Sequence, residues 1–430
     1  MPGLFPTAIE RVVAIVKEST YGVAPDGVTP AQIMRRTKFG ITLSADNYTS
    51  NEINSTGQVN GIRIGSRKVE GPISCELSPG TYNDLWAAIL RSVWQGGDQS
   101  QGTPGILFIP EKPDSNDSFT VEVWDPGISG SSIYTGCRVT KADVSCPATG
   151  NVTVEFTFTG QNMVTGDEQT FTTLTPASKS EIFAAVSGSL LGFSPDAPDV
   201  TQAVADITAF NFTIDANAST QAVVGSNLTP DVFIGRISVS GSFSAIYKNN
   251  LWRKSFTDET PFGLSLRFNT DNSVDADYMV FDFPYIKLGS VSDDEGEQSI
   301  TQQCNFTALM NPLPEMYGPS SSTIMISDST ILGGASVPMT GATVDVDATS
   351  ATVGEVFTAA ATVAVTPSNA SGITITYALS GAGAAGLSVD ASGAISGTPT
   401  AAGNAVLTAT VQDDSQNTET PTATIIVAAS

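Results

Sequence analysis

The chain has 430 residues, room for two to four domains at roughly 100–200 residues each, and only 14% of them are charged, so it is not a disordered polyelectrolyte. The formal net charge is −24, with no Lys or Arg after Lys287, so the basic footprint of a nucleic-acid binder is missing. There is no histidine, which excludes Ser-His-Asp and Cys-His catalysis and removes the commonest zinc nitrogen ligand.

Residues 9–17 read as a strand or ordered arm, and Tyr21 to Gly27 as a loop. Phe39 to Leu43 alternates apolar with small or polar residues and reads as a strand. The stretch Ser44 to Gly61 is rich in Asn, Ser and Thr, with Ile53 and Val59 as its few apolar points. A polar segment of that length predicts a functional loop or a hairpin projecting from the body; a solvated loop is the plain alternative. Strand character returns from Lys68 to Leu77. Thr81 as N-cap, with Asp84 three residues on, predicts an amphipathic helix of about three turns, ended by Gly96-Gly97. Strand-like runs follow at Gly105–Ile109, Phe119–Trp124, Ser132–Lys141 and Val152–Thr159. One β-sandwich or barrel with one flanking helix accounts for residues 1–166.

Residues 167–205 hold a Thr-rich strand and a connection marked by Pro195 and Pro198. A second unit runs from Ile207 to about Pro312, with a loop at Asn217–Asp231 and a helix near Ala245–Ser255, so that 167–312 is connection plus second domain. Residues 313–341, rich in Ser, Gly, Pro and Met, suit a linker. Residues 342–430 differ in kind: almost no aromatics, many Ala, Thr, Val and Gly, and clean alternation at Ala405–Val411. They predict an immunoglobulin-like sandwich.

The first two units carry one pattern twice. Gly65, Val69, Gly71 and Ile73-Ser74 recur as Gly235, Val239, Gly241 and Phe243-Ser244 at the same relative spacing. Asn83-Asp84-Leu85-Trp86 is echoed by Asn249-Asn250-Leu251-Trp252, and the strand Val152–Thr159 by Ile300–Thr307. A period this long signals a duplicated domain, not a solenoid. Trp86 and Trp252 are then helix-to-sheet anchors in equivalent places.

The four cysteines, Cys75, Cys137, Cys146 and Cys304, form no Cys-x-x-Cys pair and read as structural thiols. Asp271 to Asp277 resembles a calcium loop only loosely, lacking its sixth-position Gly and terminal Glu, and reads as a turn, as does Asp293 to Glu297. No metal or cofactor is expected. Neither a signal peptide nor an apolar run long enough for a membrane span is present, so folding in a cytoplasm and no membrane partner are expected. Arg63, Arg67 and Lys68 form the densest basic cluster; without interleaved aromatics they suit ion pairs to a neighbouring subunit, or plain solvated charge, better than nucleic acid.

At Arg35-Arg36-Thr37, Asn51-Glu52-Ile53-Asn54-Ser55, Arg67 to Gly71 and Glu76 to Leu85, the sequence resembles tail tube proteins of long-tailed siphophages. The resemblance implies a mainly β fold: two tandem tube-type sandwich or barrel domains, each with one flanking helix. It implies rings stacked into a hollow tube through which DNA leaves the capsid without specific binding. Duplicated members suggest that each chain supplies two of six sectors, giving trimeric pseudo-hexameric rings; a hexamer is the alternative. The tail tip, tape measure and tail terminator proteins are the expected partners, and the virion tail, after assembly in the host cytoplasm, the expected location. The polar stretch becomes a candidate ring-stacking loop through Tyr48, Asn51, Glu52, Ile53, Asn54 and Val59, and an acidic lumen would keep DNA from sticking. Gly386–Thr400 and Gly403–Asp413 resemble phage immunoglobulin-like decoration domains, with Ala385 where the pattern has proline. A surface adhesin or carbohydrate-binding protein is the rival reading, and no spacing singles out the paired carboxylates of a glycosidase.

Overall fold

The computed structural model describes residues 7–53, 55–96, 103–195, 197–203, 206–273, 276–295, 299–312, 321–331, 341–366, 373–412 and 418–430. Two compact units result, one reaching Ile331 and the other formed by the residues beyond it.

The fold is mainly β, because Val, Ile, Phe and Thr alternate with Ser, Thr and charged residues over most of the chain. In the first unit the long strands are β1 (Val12–Lys17), β2 (Lys38–Phe39), β3 (Thr42–Thr49), β4 (Ile62–Glu76), β5 (Gly105–Phe108), β6 (Phe119–Asp125), β7 (Gly130–Pro147), β8 (Thr153–Gly160), β9 (Asn162–Gly166), β10 (Gly188–Ser194), β11 (Ile207–Asp215), β12 (Ser238–Ile246), β13 (Phe262–Asn269), β14 (Tyr278–Glu295), β15 (Ile300–Ala308) and β16 (Met325–Asp328). One antiparallel run passes through β3, β4, β8, β7, β11, β12, β15 and β14 in that spatial order. A second layer is built from β1 and β6 against the first half of β7, and from β10 and β13 against the first half of β14. The core between them is rich in phenylalanine, including Phe156, Phe158, Phe210, Phe212, Phe281 and Phe283.

The ladders of the two halves agree residue for residue. Val69, Gly71 and Ile73 face Gly160, Phe158 and Phe156; Val239, Gly241 and Phe243 face Ala308, Phe306 and Cys304. The long strands β7 and β14 each carry a bulge after the residue that faces this phenylalanine: Val139 opposite Phe158, Leu288 opposite Phe306. A second bulge separates Phe119 from Val121 and, likewise, Phe262 from Leu264. Bulges bend a strand at a fixed place, and here they let β7 and β14 serve both layers. The repeated glycine has a steric cause. A Cβ on Gly71 would lie 2.1 Å from the carbonyl oxygen of Gly40, and one on Gly241 would lie 2.6 Å from that of Asn211. At Gly241 the facing Phe306 also covers the gap that the glycine leaves, its Cζ lying 2.4 Å from the Cβ position.

Helix α1 spans Asn83–Leu90 and α2 spans Leu251–Thr257. Both are shorter than the sequence suggests. Thr81 does not cap α1: the N-cap position is Tyr82 without a side-chain bond, while Thr81 Oγ1 lies 2.7 Å from Ser78 Oγ. Arg91, in the left-handed region at φ 52°, ends the helix well before Gly96.

The expected linker at 313–341 needs correction. Within it β16 pairs with both β14 and β5, and Ile324 and Ile326 are fully buried. Ile324 and Ile326, two positions apart, turn to the same buried side as the period of a strand requires, a pattern that the surrounding Ser and Gly conceal. Asp328 closes it, fully buried, accepting hydrogen bonds from Gly80 N (2.9 Å), Thr330 N (2.8 Å) and Thr330 Oγ1 (2.6 Å). Burial pushes its carboxyl pKa up, against the opposing pull of those bonds. A carboxyl more readily protonated folded than unfolded supports the fold at low pH and loses that contribution as pH rises through its folded pKa. Asp328→Asn, locked neutral, is therefore expected to gain on the wild type between about pH 4 and about pH 7. Urea unfolding at both values checks this; a pH-independent difference contradicts it.

The second unit is a sandwich of two sheets. One contains Gly341–Val346, Phe357–Thr366, Ala394–Gly397 and Leu387–Val389; the other contains Ser350–Thr352, Thr422–Ala428, Gly403–Gln412 and Thr374–Ser380. Val346, Phe357 and Ile395 of the first sheet meet Ala405, Leu407, Ile425 and Val427 of the second. Bonds from Thr398 N to Gly386 O (3.1 Å) and Thr400 N to Ala385 O (2.8 Å) hold the Gly-Thr-Pro-Thr turn.

Candidate assembly surfaces

Because side chains alternate across a strand, the eight-strand run has two unlike faces. The inner one supplies the core. The other carries Ser74, Thr153, Thr157, Asn211, Thr213, Ser240, Ser242, Gln303, Asn305 and Thr307 among its small polar residues. Its charges include Lys38, Lys68, Lys141 and Lys287 against Glu70, Glu76, Asp143, Glu155, Asp215 and Asp294, a net acidic balance. Two of the lysines pair along their own strand, Lys68 with Glu70 at 2.6 Å and Lys141 with Asp143 at 2.9 Å. Glu155 and Glu76 accept from Ser74 Oγ (2.7 Å) and Asn151 Nδ2 (2.8 Å). Single sequence segments do not reveal this face, since it exists only once distant strands are paired.

The polar stretch after Ser44 forms the β3–β4 hairpin. Its base closes through Ser50 N to Gly61 O (2.9 Å), and Glu52 accepts from Asn60 Nδ2 at 2.9 Å. Asn51 is exposed, Ile53 is 99% exposed, and Tyr48, Val59, Ile62 and Ile64 are also exposed. Asn54 lies outside the described residues. Large apolar side chains gathered on one exposed projection are a feature that interaction surfaces share. The equivalent loop of the second half behaves differently. It folds back on the first half through the ion pair of Asp231 with buried Arg138 (2.9 Å), Gln161 Nε2 donating to Thr229 O (2.9 Å) and Arg67 N donating to Asn227 O (2.8 Å). Arg138 also stacks over Tyr21 at 5.1 Å. This anchor is absent from the sequence reading, because nothing near Arg138 in the chain hints at its partner.

The proposed basic cluster is not a cluster. Arg67 and Lys68 are neighbours on a strand and point to opposite faces. Lys68 is paired within the chain, and Arg67 donates to Asn162 Oδ1 at 3.2 Å. Arg63, exposed on the hairpin, forms no ion pair among the described residues. Trp86 is fully buried, edge-on to Phe156 (4.9 Å) and to Phe281 of the second half (5.5 Å). Trp252 is partly exposed and packs edge-on to Phe243 (4.9 Å) and against Phe262 (5.6 Å).

The cysteines are free thiols. Burial pushes Cys75 and Cys304 up to about 12 and Cys146 up to about 11, and raises Cys137 as well, so none is a nucleophile at neutral pH. Among the described residues no group of three or more His, Cys, Asp or Glu side chains is placed to hold a metal, and no helix is long and apolar enough to cross a membrane. Asp271 accepts from Ser273 N at 2.6 Å, the bond of a tight turn.

The sheet thus has one wetted polar face, one face packed on the core and an apolar projection. The family model described as "Phage tail tube protein" matches residues 9–308, which take in both halves, and the chain belongs to that family. No curated protein matches the chain. The family gives it a structural role in the phage tail tube and a place in the virion tail; it is not an enzyme family.

Proposed function

We propose that this chain is the repeating subunit of a siphophage tail tube and forms stacked rings that conduct DNA during ejection. The observation that carries this reading is the ladder-for-ladder agreement of the two halves, both bulges included, within a chain of the tail tube family. Two equivalent halves joined in one sheet make two sectors, and closed symmetry then needs three chains for a pseudo-hexameric ring. The polar sheet face lines the bore. Water and DNA pass there, and its excess of carboxylates over lysines repels phosphate. The hairpin with Tyr48, Asn51, Glu52, Ile53 and Val59 reaches the adjacent ring, and Arg63 is free to meet a carboxylate there. The terminal sandwich, with its Gly-Thr-Pro-Thr turn, is an immunoglobulin-like decoration domain on the outside. Growth starts on the tail tip, around the tape measure, and stops at the terminator protein.

Negative-stain microscopy of the purified chain, and mass measurement of its smallest closed species, test the reading. Hollow rings of three chains that stack into tubes are expected. A chain that stays monomeric at every concentration, with or without tail tips, overturns it.

A further inference from the structure

The junction between the two halves is a template for the junction between chains. Inside the chain, β11 of the second half lies along the far end of β7 of the first: Asp215 faces Lys141, Ile214 faces Ala142, Thr213 faces Asp143 and Phe210 faces Cys146. The same two elements recur without partners. β2 and β3 are the first-half equivalents of β11, since Phe39 and Leu43 face Ile73 and Val69 as Phe210 and Ile214 face Phe243 and Val239. Their outer edge pairs with nothing among the described residues. Residues 290–295 of β14 are the second-half equivalent of 141–146, since Val291 faces Cys304 as Ala142 faces Phe156. Their outer edge is also open. A sheet edge left bare in a stable protein invites another strand.

A second, independent contrast points the same way. Leu85, Leu90 and Val152 are 3%, 0% and 0% exposed, whereas their second-half counterparts Leu251, Phe256 and Ile300 are 55%, 40% and 39% exposed. The first-half helix is covered because the second half lies on it, as the Trp86–Phe281 contact shows. The second-half helix lacks such a cover.

We infer that a second copy of this chain fills both vacancies: its residues 39–44 pair antiparallel with residues 290–295, so that Leu43 faces Val291, Thr42 faces Ser292 and Phe39 faces Glu295. This rests on the tube reading and gives it a register. The charges suit the pairing. Lys38 forms no ion pair among the described residues, and the facing strand ends in Asp294 and Glu295. The new pairs continue the same sheet, so the polar face runs unbroken from one chain to the next.

The test is a full-length double variant, Thr42→Cys with Ser292→Cys, both exposed positions. Facing residues on paired strands lie within the Cα separation that a disulfide requires. Mild oxidation of assembled protein is expected to give covalent two- and three-chain species on a non-reducing denaturing gel. The shifted pair, Thr42→Cys with Asp294→Cys, is expected to give at least about tenfold less, because two residues of slip exceed disulfide reach. Rings or tubes that form without cross-linking, or that cross-link equally through the shifted pair, overturn the register and leave the tube reading intact. Wild-type protein that never forms rings overturns both.

Discussion

Trp86→Ala is expected to cost about 3–5 kcal/mol of stability, the range for truncating a fully buried tryptophan. Trp252→Ala, at the equivalent place, is expected to cost clearly less in the isolated chain. The difference comes from what surrounds each ring. Trp86 is sealed between the two halves, edge-on to Phe156 and Phe281, and aromatic contacts of this kind contribute roughly 0.5–1.5 kcal/mol beyond area burial. Trp252 sits on a helix none of whose residues is buried. A domain holds only about 5–15 kcal/mol in all, so the Trp86 variant loses a large part of its margin and the joint between the halves with it. Denaturant unfolding of the monomeric chain measures both. Equal losses would mean that the second half does not cover the first as the structure has it. In assembled protein the two costs should draw together, because a neighbour that binds only the folded form adds stability where the monomer is bare.

The repeated glycine and tryptophan positions are legible in the sequence because each answers to a single steric demand. Gly71 and Gly241 answer to a carbonyl oxygen pressed against the strand, and Trp86 and Trp252 to a helix that must lie on a sheet, so each leaves a residue in the sequence. The candidate surfaces were less legible because they depend on partners far away in the chain. The strand read as Ser132–Lys141 continues to Pro147, since Ala142 and Val144 face the core once β11 lies beside them. Arg138 looks like one more surface charge until Asp231 and Tyr21 are brought to it. The basic run Arg67-Lys68 reads as a patch in one dimension and divides between two faces in three. Thr81 has the residue type of a cap, yet its hydroxyl is drawn to Ser78 instead, and the helix begins without it. The strand at Met325–Asp328 is short, lies in Ser- and Gly-rich surroundings, and is recognised only by the two strands it joins.

Deleting Tyr48–Val59 is expected to abolish tube growth while leaving the chain folded and ring formation intact. Among the described residues of the deleted stretch none is buried: Tyr48, Ile53 and Val59 are all exposed, and Glu52 accepts from Asn60 within the loop. Joining Asn47 to Asn60 leaves Asn60-Gly61, a favoured turn pair, just before the retained partner strand, so the shortened hairpin can still close. The melting temperature should therefore stay near that of the wild type. What the deletion removes is a projection that presents apolar side chains to water, a cost without benefit to a solitary chain. Its equivalent in the second half has an occupation inside the molecule, docked on Arg138, Gln161 and Arg67. The apolar side chains of the first-half hairpin, Tyr48, Ile53 and Val59, stay exposed, and the proposed ring stacking gives them a use outside the ring. Ile53→Asp tests the same idea with a single charge and is expected to slow elongation without changing ring mass. Microscopy that finds tubes of normal length from the deletion would assign ring stacking to another surface, and would leave the exposed hairpin without a purpose in the tube.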